Sequence, residues 1–353
     1  MIYNKGNSKG GLKMPKTNQR NIRRENIEAV FGEISSHDAI SRSEIAKRTG
    51  LSLMTVGKVA DLLTECGAAE QSKPATGRSG RRAGFLSISK NIISLVCDIS
   101  SDPMTAYIVD LKGESSARTV YDYNYRRSPQ DNLIDFFSKV SVLLLDNLRD
   151  KTLIGSAIIY SGEYNRVSSE LLLPFTRLGL TVDPVACMKN TVGITPDIVE
   201  NAVSCAVRNR RVAAYEGLYL AFDVGFKLSG CIVRNGEIIS SEGNLDFSSV
   251  KVGEDSLDDA LRRANDETAL AAVLSIALGD FCRIMKPACV YIWSKFIPVG
   301  DKFQQILTGE FRCEVKAAVD GAMARVGGGA DDICKKWIEK NIFGSEVSDN
   351  FNL

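Results

Sequence analysis

Residues 41–67 read SRSEIAKRTGLSLMTVGKVADLLTECG and predict two short helices joined by a tight turn. Ser41 and Glu44 have the spacing of a capping box, which marks the start of a helix. Gly50 suits the left-handed position that ends this helix, and Ser52 is the expected N-cap of the next one. Two short helices with this connection are typical of a helix-turn-helix.

The second helix of this pair is predicted to run from Ser52 to about Cys66 and to bury one face. The predicted buried stripe comprises Val56, Val59, Leu62 and Leu63. The candidate DNA-contacting residues of the pair are Ser41, Arg42, Ser52, Met54, Thr55 and Lys58. Hydroxyl and ammonium groups can bind base edges or phosphates, and a methionine can pack on a thymine methyl group. The alternative is a solvated helix face on a protein-interaction module.

A helix over residues 17–34 precedes this pair, and a two-stranded hairpin follows it. The hairpin strands are residues 68–72 and 83–89, and the glycine-rich tip between them is basic. Its candidate DNA-contacting residues are Lys73, Arg78, Arg81 and Arg82. Arginines on a glycine-rich loop suit the narrow, electronegative minor groove, so we expect this hairpin to act as a DNA-binding wing.

The net charge of +1 hides a marked asymmetry along the chain. Residues 1–90 contain 16 Lys and Arg against 8 Asp and Glu, which gives a net charge of +8. The remaining residues contain 28 basic and 35 acidic side chains, which gives −7. A basic head on an acidic body is the expected charge distribution for a DNA-binding module attached to a domain that does not bind DNA.

From Ile92 onward, strand pairs alternate with helices, which predicts an α/β fold. A hairpin followed by helices occurs first at Ile92 and recurs from Leu218, which indicates two similar lobes. Helices are predicted at about 130–148, after Pro196 to about 211, at 256–286, at 300–309 and at 329–342. A buried strand is predicted at TLIGSAIIY, and further strands are predicted at LYLAFDVG, PACVYIWS and FRCEVKAAV.

The N-terminal sequence resembles the repressor branch of the ROK family (repressors, open reading frames, kinases). The resemblance rests on Asn18-Gln19-Arg20, on GLSLMTV at 50–56 and on GRSGRRAG at 77–84. It implies a winged helix-turn-helix at 17–90, followed at 91–353 by a two-lobed sugar-kinase fold of the actin and hexokinase type, which is ribonuclease H-like. The implied lobes are approximately 91–200 and 201–353, and residues 1–16 are expected to form a disordered leader.

The sequence departs from the catalytic motifs of this family at the phosphate hairpin and at the general base. The family's Asp-x-Gly-x-Thr hairpin corresponds to DISSD at 98–102, which lacks the glycine that lets backbone N–H groups approach a phosphate. The family's Glu-Asn-Asp-Ala-Asn corresponds to ENAVS at 200–204, so Ala202 stands at the position of the general base. A methyl group cannot accept a proton from a sugar hydroxyl.

The remaining family motifs are also depleted. The second phosphate segment reads DVGFK at 223–227 and keeps one glycine, while WSK at 293–295 stands for the adenine-side Gly-Gly-Gly. The sugar- and zinc-binding Gly-Glu-Ile-Gly-His reads LDFSS at 245–249, and residues 251–262 contain no zinc-binding cysteine. The resemblance therefore implies a kinase-like domain without catalytic activity.

The nine cysteines include no C-x-x-C pair, and His37 is the only histidine, so we expect neither a metal site nor a cofactor. Buried free thiols suit a reducing cytoplasm. No apolar run reaches the roughly 18 residues that span a membrane, and the first fifteen residues do not resemble a secretory signal. The sequence therefore predicts a cytoplasmic protein without membrane association.

These observations predict a DNA-binding transcriptional regulator of carbohydrate-related genes, with repression as the expected mode. The expected partners are a double-stranded DNA operator, a sugar or sugar phosphate effector and a second copy of the chain in a homodimer. The candidate ligand-binding residues of the body are Glu200, Asn201, Asp223 and Asp246. Two alternatives remain: a ROK-type sugar kinase with an attached DNA-binding domain, and a DNA-bound scaffold for another protein without a small-molecule effector.

Overall fold

Contacts within the chain divide it into two units, residues 1–89 and residues 90–353. The structure is a computed structural model. It describes residues 16–72, 84–173, 175–176, 180–212, 217–225, 227–235, 237–239, 245, 247, 249–318 and 321–343. The predicted wing tip, with Lys73, Arg78, Arg81 and Arg82, lies outside the described residues, as does Asp246.

The first unit consists of three helices and a three-stranded antiparallel sheet. Its elements are α1 (Lys16–Ser35), β1 (Ile40–Ser41), α2 (Arg42–Thr49), α3 (Leu53–Glu65), β2 (Ala69–Gln71) and β3 (Phe85–Ile88). The sheet order is β1-β3-β2. The three helices and the hairpin predicted from the sequence are therefore confirmed.

The core of the first unit forms where α1 packs across α2 and α3. Ile27, Val30 and Ile34 of α1 are buried, as their helical spacing predicts. On α3, the buried residues are Val56, Val59, Ala60 and Leu63. The prediction of Leu62 in this stripe was wrong, because that side chain is half-buried. Ala60 completes the i, i+3, i+4, i+7 face instead.

The first lobe of the second unit is built on a five-stranded sheet. Its elements are β4 (Ile92–Asp98), β5 (Met104–Asp110), β6 (Ser115–Tyr121), α4 (Pro129–Asn147), β7 (Thr152–Tyr160), β8 (Glu163–Asn165), β9 (Glu170–Leu172), β10 (Thr181–Val182), α5 (Pro184–Val192) and β11 (Asp197–Glu200). The sheet order is β11-β7-β4-β5-β6, with β4, β5 and β6 antiparallel and with β7 and β11 parallel to β4. Strands β8, β9 and β10 form a separate small sheet.

The second lobe repeats this plan. Its elements are α6 (Asn201–Val212), β12 (Leu218–Val224), β13 (Leu228–Arg234), β14 (Glu237–Ile238), β15 (Lys251–Val252), β16 (Asp255–Ser256), α7 (Leu257–Arg263), α8 (Glu267–Met285), β17 (Cys289–Ser294), α9 (Asp301–Phe311) and β18 (Glu314–Ala318). The last helix, α10 (Gly321–Phe343), falls in the range predicted for this lobe but packs on the first sheet. The sheet order is β14-β13-β12-β17-β18, again an antiparallel hairpin extended by two parallel strands. The predicted α/β pattern and its recurrence are confirmed.

Three predicted helix boundaries after Pro196 were wrong. The helix predicted to start directly after Pro196 begins at Asn201, because residues 197–200 pair with β7 as strand β11. The single helix predicted at 256–286 is divided into α7 and α8, because Asp266 caps α8 by accepting hydrogen bonds from the backbone N–H groups of Thr268 and Ala269. The C-terminal helix begins at Gly321 rather than at 329. Glycine has a low intrinsic helix propensity, so the triplet at 327–329 disguises the start of α10.

Helices α6 and α10 exchange sheets. Helix α6 follows β11 of the first sheet but packs on the second, where Cys205 and Ala206 join the core around Tyr219. Helix α10 follows β18 of the second sheet but packs on the first, with Val326 and Ile333 in the core. The two helices therefore cross between the lobes and connect them twice.

Gly328 allows this crossing. A Cβ atom at this position would lie 1.7 Å from the carbonyl oxygen of Ser204 on α6. The neighbouring Gly329 is similarly constrained by the first sheet, where a Cβ would lie 2.9 Å from Ile159. The close approach of the two helix backbones therefore requires glycine at this point, although glycine lowers the helix propensity of α10.

Helix α8 is the one helix among the described residues that is long and apolar enough to cross a membrane, by length and composition. Core helices of globular proteins meet the same criterion. One face of α8, including Leu270, Leu274 and Leu278, is fully buried in the core of the second lobe.

Replacing Gly328 with Ala should lower the free energy of unfolding by about 3 kcal/mol, because the added methyl group must displace backbone. Gly309 on α9 is the matched control, since nothing lies within 4 Å of a Cβ built there. Gly309→Ala should stabilise the protein by about 0.5–1 kcal/mol through helix propensity alone. Urea denaturation of both variants measures the difference, and equal stability would show that the crossing tolerates a side chain.

Candidate functional site

The turn between α2 and α3 has the geometry that the sequence predicts. Gly50 adopts a left-handed conformation with φ of 72°, and its N–H donates to the carbonyl oxygen of Ala46. Ser52 caps α3 by accepting a hydrogen bond from the backbone N–H of Thr55, at 3.1 Å. The two caps fix the angle at which α3 leaves α2.

The first turn of α3 presents an exposed face. Met54 is 70% exposed and Leu53 is 58% exposed, although both are large apolar side chains. Lys58 is exposed one turn further along, and Thr55 is half-buried with its hydroxyl 2.9 Å from that of Ser52. Thioether, hydroxyl and ammonium groups thus lie together on the side of α3 opposite to its buried stripe, as predicted.

Arg42 has a structural partner that the sequence analysis missed. Its guanidinium forms an ion pair with Asp61 of α3 at 2.6 Å and donates a hydrogen bond to Gln71 of β2 at 3.4 Å. It therefore connects α2, α3 and β2. Ser41 is the N-cap of α2 and accepts a hydrogen bond from the N–H of Glu44. Both residues hold the helix pair in place.

In the second unit, the most highly charged buried position lies at the junction of the two lobes. Asp98 ends β4 of the first lobe, and Asp223 lies on β12 of the second lobe. Arg325 of α10 lies between them, with Nε 3.1 Å from Asp98 and Nη1 3.0 Å from Asp223. The Arg325 side chain is almost completely buried, at 2% exposure.

Asp98 and Arg325 each stabilise the ionised form of the other. Burial alone would raise the pKa of Asp98, but Arg325, Lys295 and the hydrogen bonds from Ser100 hold it below its ordinary value. Burial alone would lower the pKa of Arg325, but Asp98 and Asp223 raise it well above its ordinary value. For the half-buried Lys295, burial is the larger effect and lowers its pKa. Asp98 and Arg325 are therefore both ionised over the physiological range.

Glu200 and Asn201 lie beside this cluster and retain unpaired acceptors. The Nδ2 of Asn201 donates to Asp223 at 3.0 Å. Among the described residues, Asn201 Oδ1 and Glu200 Oε2 have no hydrogen-bond partner although both are buried. Burial, together with the Asp223 carboxylate, raises the pKa of Glu200 to about 8. The structure thus brings together three of the four predicted ligand-binding residues.

Residues 98–102 correspond to the family's phosphate hairpin, and both carboxylates of this segment accept hydrogen bonds from residues of the first lobe. Ser100 donates hydrogen bonds to Asp98 through both its N–H and its hydroxyl. Asp102 accepts hydrogen bonds from the N–H of Tyr123, at 3.0 Å, and from the hydroxyl of Tyr125, at 2.9 Å. The Asp102 carboxylate is thereby engaged within the first lobe.

The other motif positions lie in the second lobe. Ala202 is fully buried in α6, and its carbonyl oxygen accepts a hydrogen bond from the Cys231 thiol. Trp293 is buried at the end of β17. A cavity of about 220 Å³ lies at the carboxyl ends of β12 and β17. It is lined by Val224, Gly225, Leu261, Arg262, Ala264, Leu270, Ser294, Phe296 and Ile297, and neither Glu200 nor Asn201 lines it.

The nine cysteines are free thiols. Within the described part of the chain, no group of three or more His, Cys, Asp or Glu residues is arranged to hold a metal ion. Burial raises the pKa of the Cys97, Cys205 and Cys231 thiols, which keeps them protonated.

The fold of this chain is similar to that of several solved structures. No protein-family model matches the sequence, and no curated protein matches it. Among solved structures, the chain is similar to a ROK family transcriptional regulator, a homolog of the Escherichia coli Mlc protein. The TM-score is 0.63 at 13% identity, over 91% of this chain and 99% of that one.

Sugar kinases share the fold over a smaller part of the chain. An inorganic polyphosphate/ATP glucomannokinase from Arthrobacter has a TM-score of 0.55 at 14% identity, over 70% of this chain and 100% of that one. A ROK family glucokinase from Streptomyces griseus, solved with glucose and AMPPNP, has a TM-score of 0.51 at 11% identity, over 68% of this chain and 98% of that one.

These similarities establish the fold. The second unit has the two-lobed actin and hexokinase-like architecture of ROK proteins, and the resemblance inferred from the sequence is confirmed at that level. Residues 90–353 make up about three quarters of the chain, so the match to the regulator must include part of the first unit as well.

Replacing Glu200 with Gln should stabilise the protein in a pH-dependent manner. The pKa of Glu200 is raised from 4.5 to about 8, so the folded state favours the protonated acid, and wild-type stability is lost progressively between these values. Below pH 4.5 the variant should resemble the wild type. By pH 8 its free energy of unfolding should be higher by roughly 3–5 kcal/mol.

Urea denaturation from pH 5 to 9 measures this difference. Glu254→Gln, at an exposed position, is the control and should follow the wild type throughout. A constant difference between Glu200→Gln and the wild type across the pH range would contradict the prediction.

Proposed function

We propose that this protein is a transcriptional regulator. Its first unit acts as a winged helix-turn-helix that binds double-stranded DNA, and its kinase-like second unit acts without phosphoryl transfer. The observation that carries the proposal is the capped helix pair with Met54, Thr55 and Lys58 together on the exposed face of α3. The net charge of +8 on residues 1–90 and the fold shared with a ROK family regulator support it.

In this proposal, α3 is the recognition helix and enters the major groove with its N-terminal turn. Met54, Thr55 and Lys58 contact base edges or phosphates, and Ser52 serves as cap and phosphate ligand. Arg42 is a positioning residue, because its ion pair with Asp61 fixes α2 against α3. The basic hairpin tip, with Lys73, Arg78, Arg81 and Arg82, contacts the minor groove.

The second unit is proposed to bind a sugar or sugar phosphate effector without turning it over. Glu200 and Asn201 supply buried acceptors without partners among the described residues, which suits a ligand rich in hydroxyl groups. Asp223 belongs to the same set, and its carboxylate accepts hydrogen bonds from Asn201 and Arg325. Asp246 joins this set on sequence grounds alone.

The alternative function, a sugar kinase with an attached DNA-binding domain, is favoured by the fold shared with the Arthrobacter and Streptomyces enzymes. It requires a general base, and Ala202 cannot act as one. Incubation with ATP and a panel of hexoses and N-acetylhexosamines distinguishes the two functions. Phosphorylation of any of these sugars at ordinary kinase rates would support the alternative.

The regulator is proposed to act in the cytoplasm as a homodimer on a two-fold symmetric operator, with half-sites separated by whole turns of the double helix. Selection of bound sequences from random DNA provides the operator for the tests that follow. A selected sequence without a two-fold repeat would contradict the dimer.

Lys58→Ala and Thr55→Ala should reduce affinity for the selected operator by roughly 1–3 kcal/mol per lost base contact, with a smaller effect on random DNA. Fluorescence anisotropy on both DNAs measures the effect. Lys302→Ala, which removes an exposed lysine from α9 of the second unit, is the matched control and should bind as the wild type does. Equal losses on both DNAs would make Lys58 and Thr55 phosphate contacts.

Replacing Arg81 and Arg82 together with Ala should reduce the slope of log affinity against log salt concentration by about one unit per lost phosphate contact. Affinities measured across a series of salt concentrations test this. An unchanged slope would exclude the hairpin tip from the DNA interface.

A further inference from the structure

Arg325 makes two ion pairs, one with each lobe of the second unit. Its Nε lies 3.1 Å from Asp98 Oδ2 at the end of β4, and its Nη1 lies 3.0 Å from Asp223 Oδ1 on β12. The two carboxylates occupy equivalent places, because each lies on the first strand of its lobe's sheet. A single guanidinium therefore bridges the corresponding points of the two lobes.

The backbone of Arg325 is also held in place. Its carbonyl oxygen accepts a hydrogen bond from the Ser204 hydroxyl of α6. One turn further along α10, Gly328 lies directly against the carbonyl of Ser204. The α6–α10 crossing thus fixes the backbone position from which the guanidinium reaches both carboxylates.

Two buried carboxylates at one junction need positive charge close by, since an uncompensated buried charge is strongly destabilising. In enzymes that transfer phosphoryl groups, a divalent cation held by aspartate commonly supplies it and also binds the phosphates. Here Arg325 takes up one oxygen of each carboxylate, Ser100 binds the other oxygen of Asp98, and Asn201 binds the other oxygen of Asp223.

We propose that Arg325 is a built-in counter-cation that joins the two lobes and occupies the place between Asp98 and Asp223 that a phosphate-bound divalent cation would need. The carboxylate oxygens are already hydrogen-bonded, and a second cation at this point would be repelled by the guanidinium. The junction therefore binds neither a free divalent cation nor a metal–nucleotide complex. The proposal rests on the geometry of the second unit and is independent of DNA binding.

The charge balance is tested by thermal unfolding of the full chain. Arg325→Met keeps much of the side-chain volume but removes the charge, and it should lower Tm by about 10 °C, as expected for a broken buried ion pair in a domain of this size. Arg283→Met is the control. It removes an exposed arginine that pairs with Asp280, and it should change Tm by no more than about 2 °C.

A triple variant separates charge from packing. Arg325→Met combined with Asp98→Asn and Asp223→Asn removes both fully buried carboxylates together with the guanidinium and leaves only the half-buried Lys295 as a cation at this point, so it should recover most of the Tm lost in Arg325→Met. If Arg325→Met alone is insoluble, a folded triple variant still supports the proposal. A triple variant no more stable or soluble than Arg325→Met would overturn it, as would an Arg325→Met variant as stable as the control.

Exclusion of the divalent cation is tested on the wild type. Neither MgCl2 nor magnesium ADP, each at millimolar concentration and matched ionic strength, should raise its Tm. Any ligand that binds the folded state preferentially raises Tm by mass action. A rise of several degrees with magnesium ADP, abolished by Asp98→Asn, would show that the junction accepts the metal complex and would overturn the proposal.

Discussion

The cost of burying Asp98 and Asp223 at the junction of the two lobes determines much of the architecture of the second unit. Neither carboxylate can be left alone in this environment, and a single guanidinium satisfies both. This arrangement requires the start of α10, which follows the edge strand β18 of the second sheet, to reach the junction. It also requires α6 to lie close enough for Ser204 to contact the α10 backbone, which only glycine at position 328 permits.

The first unit is organised by a different principle, local capping. Ser41, Gly50 and Ser52 set the ends of two short helices, and the ion pair between Arg42 and Asp61 adds a surface contact to the apolar core that these helices form with α1. Because Ser52 caps α3 and the opposite face of this helix is buried, exposed side chains on the first turn of α3 have a defined position. The proposed role of these side chains in reading a DNA sequence requires this kind of rigid support.

The same contrast explains which features the sequence could predict. Capping boxes, apolar periodicity and turn residues act over a few positions, so the three N-terminal helices, the hairpin and the main strands follow from them. The exposed face of α3 was predicted correctly from its apolar periodicity. The buried face was assigned to Leu62 instead of Ala60, which is a small error in the orientation of the helix. The division between α7 and α8 depended on a single cap at Asp266.

Arg325 could not be found in this way. Its partners lie 227 and 102 positions away in the chain, and no local pattern connects them. The glycine triplet at 327–329 also concealed the first turns of α10, because its low helix propensity is outweighed by a tertiary contact that only the folded lobes create. The sequence shows only an arginine close to three glycines. The role of these residues becomes clear only from the packing of α10 against α6.

The exchange of helices between the lobes has a consequence for synthesis of the chain. The face of the first sheet that carries Val96, Ala157 and Ile159 is covered by α10, which follows the last strand of the second lobe. That face therefore stays open to solvent until almost the whole second lobe has left the ribosome. The first lobe, although translated first, reaches its final packing last, and the nascent chain must carry an exposed apolar sheet in the meantime.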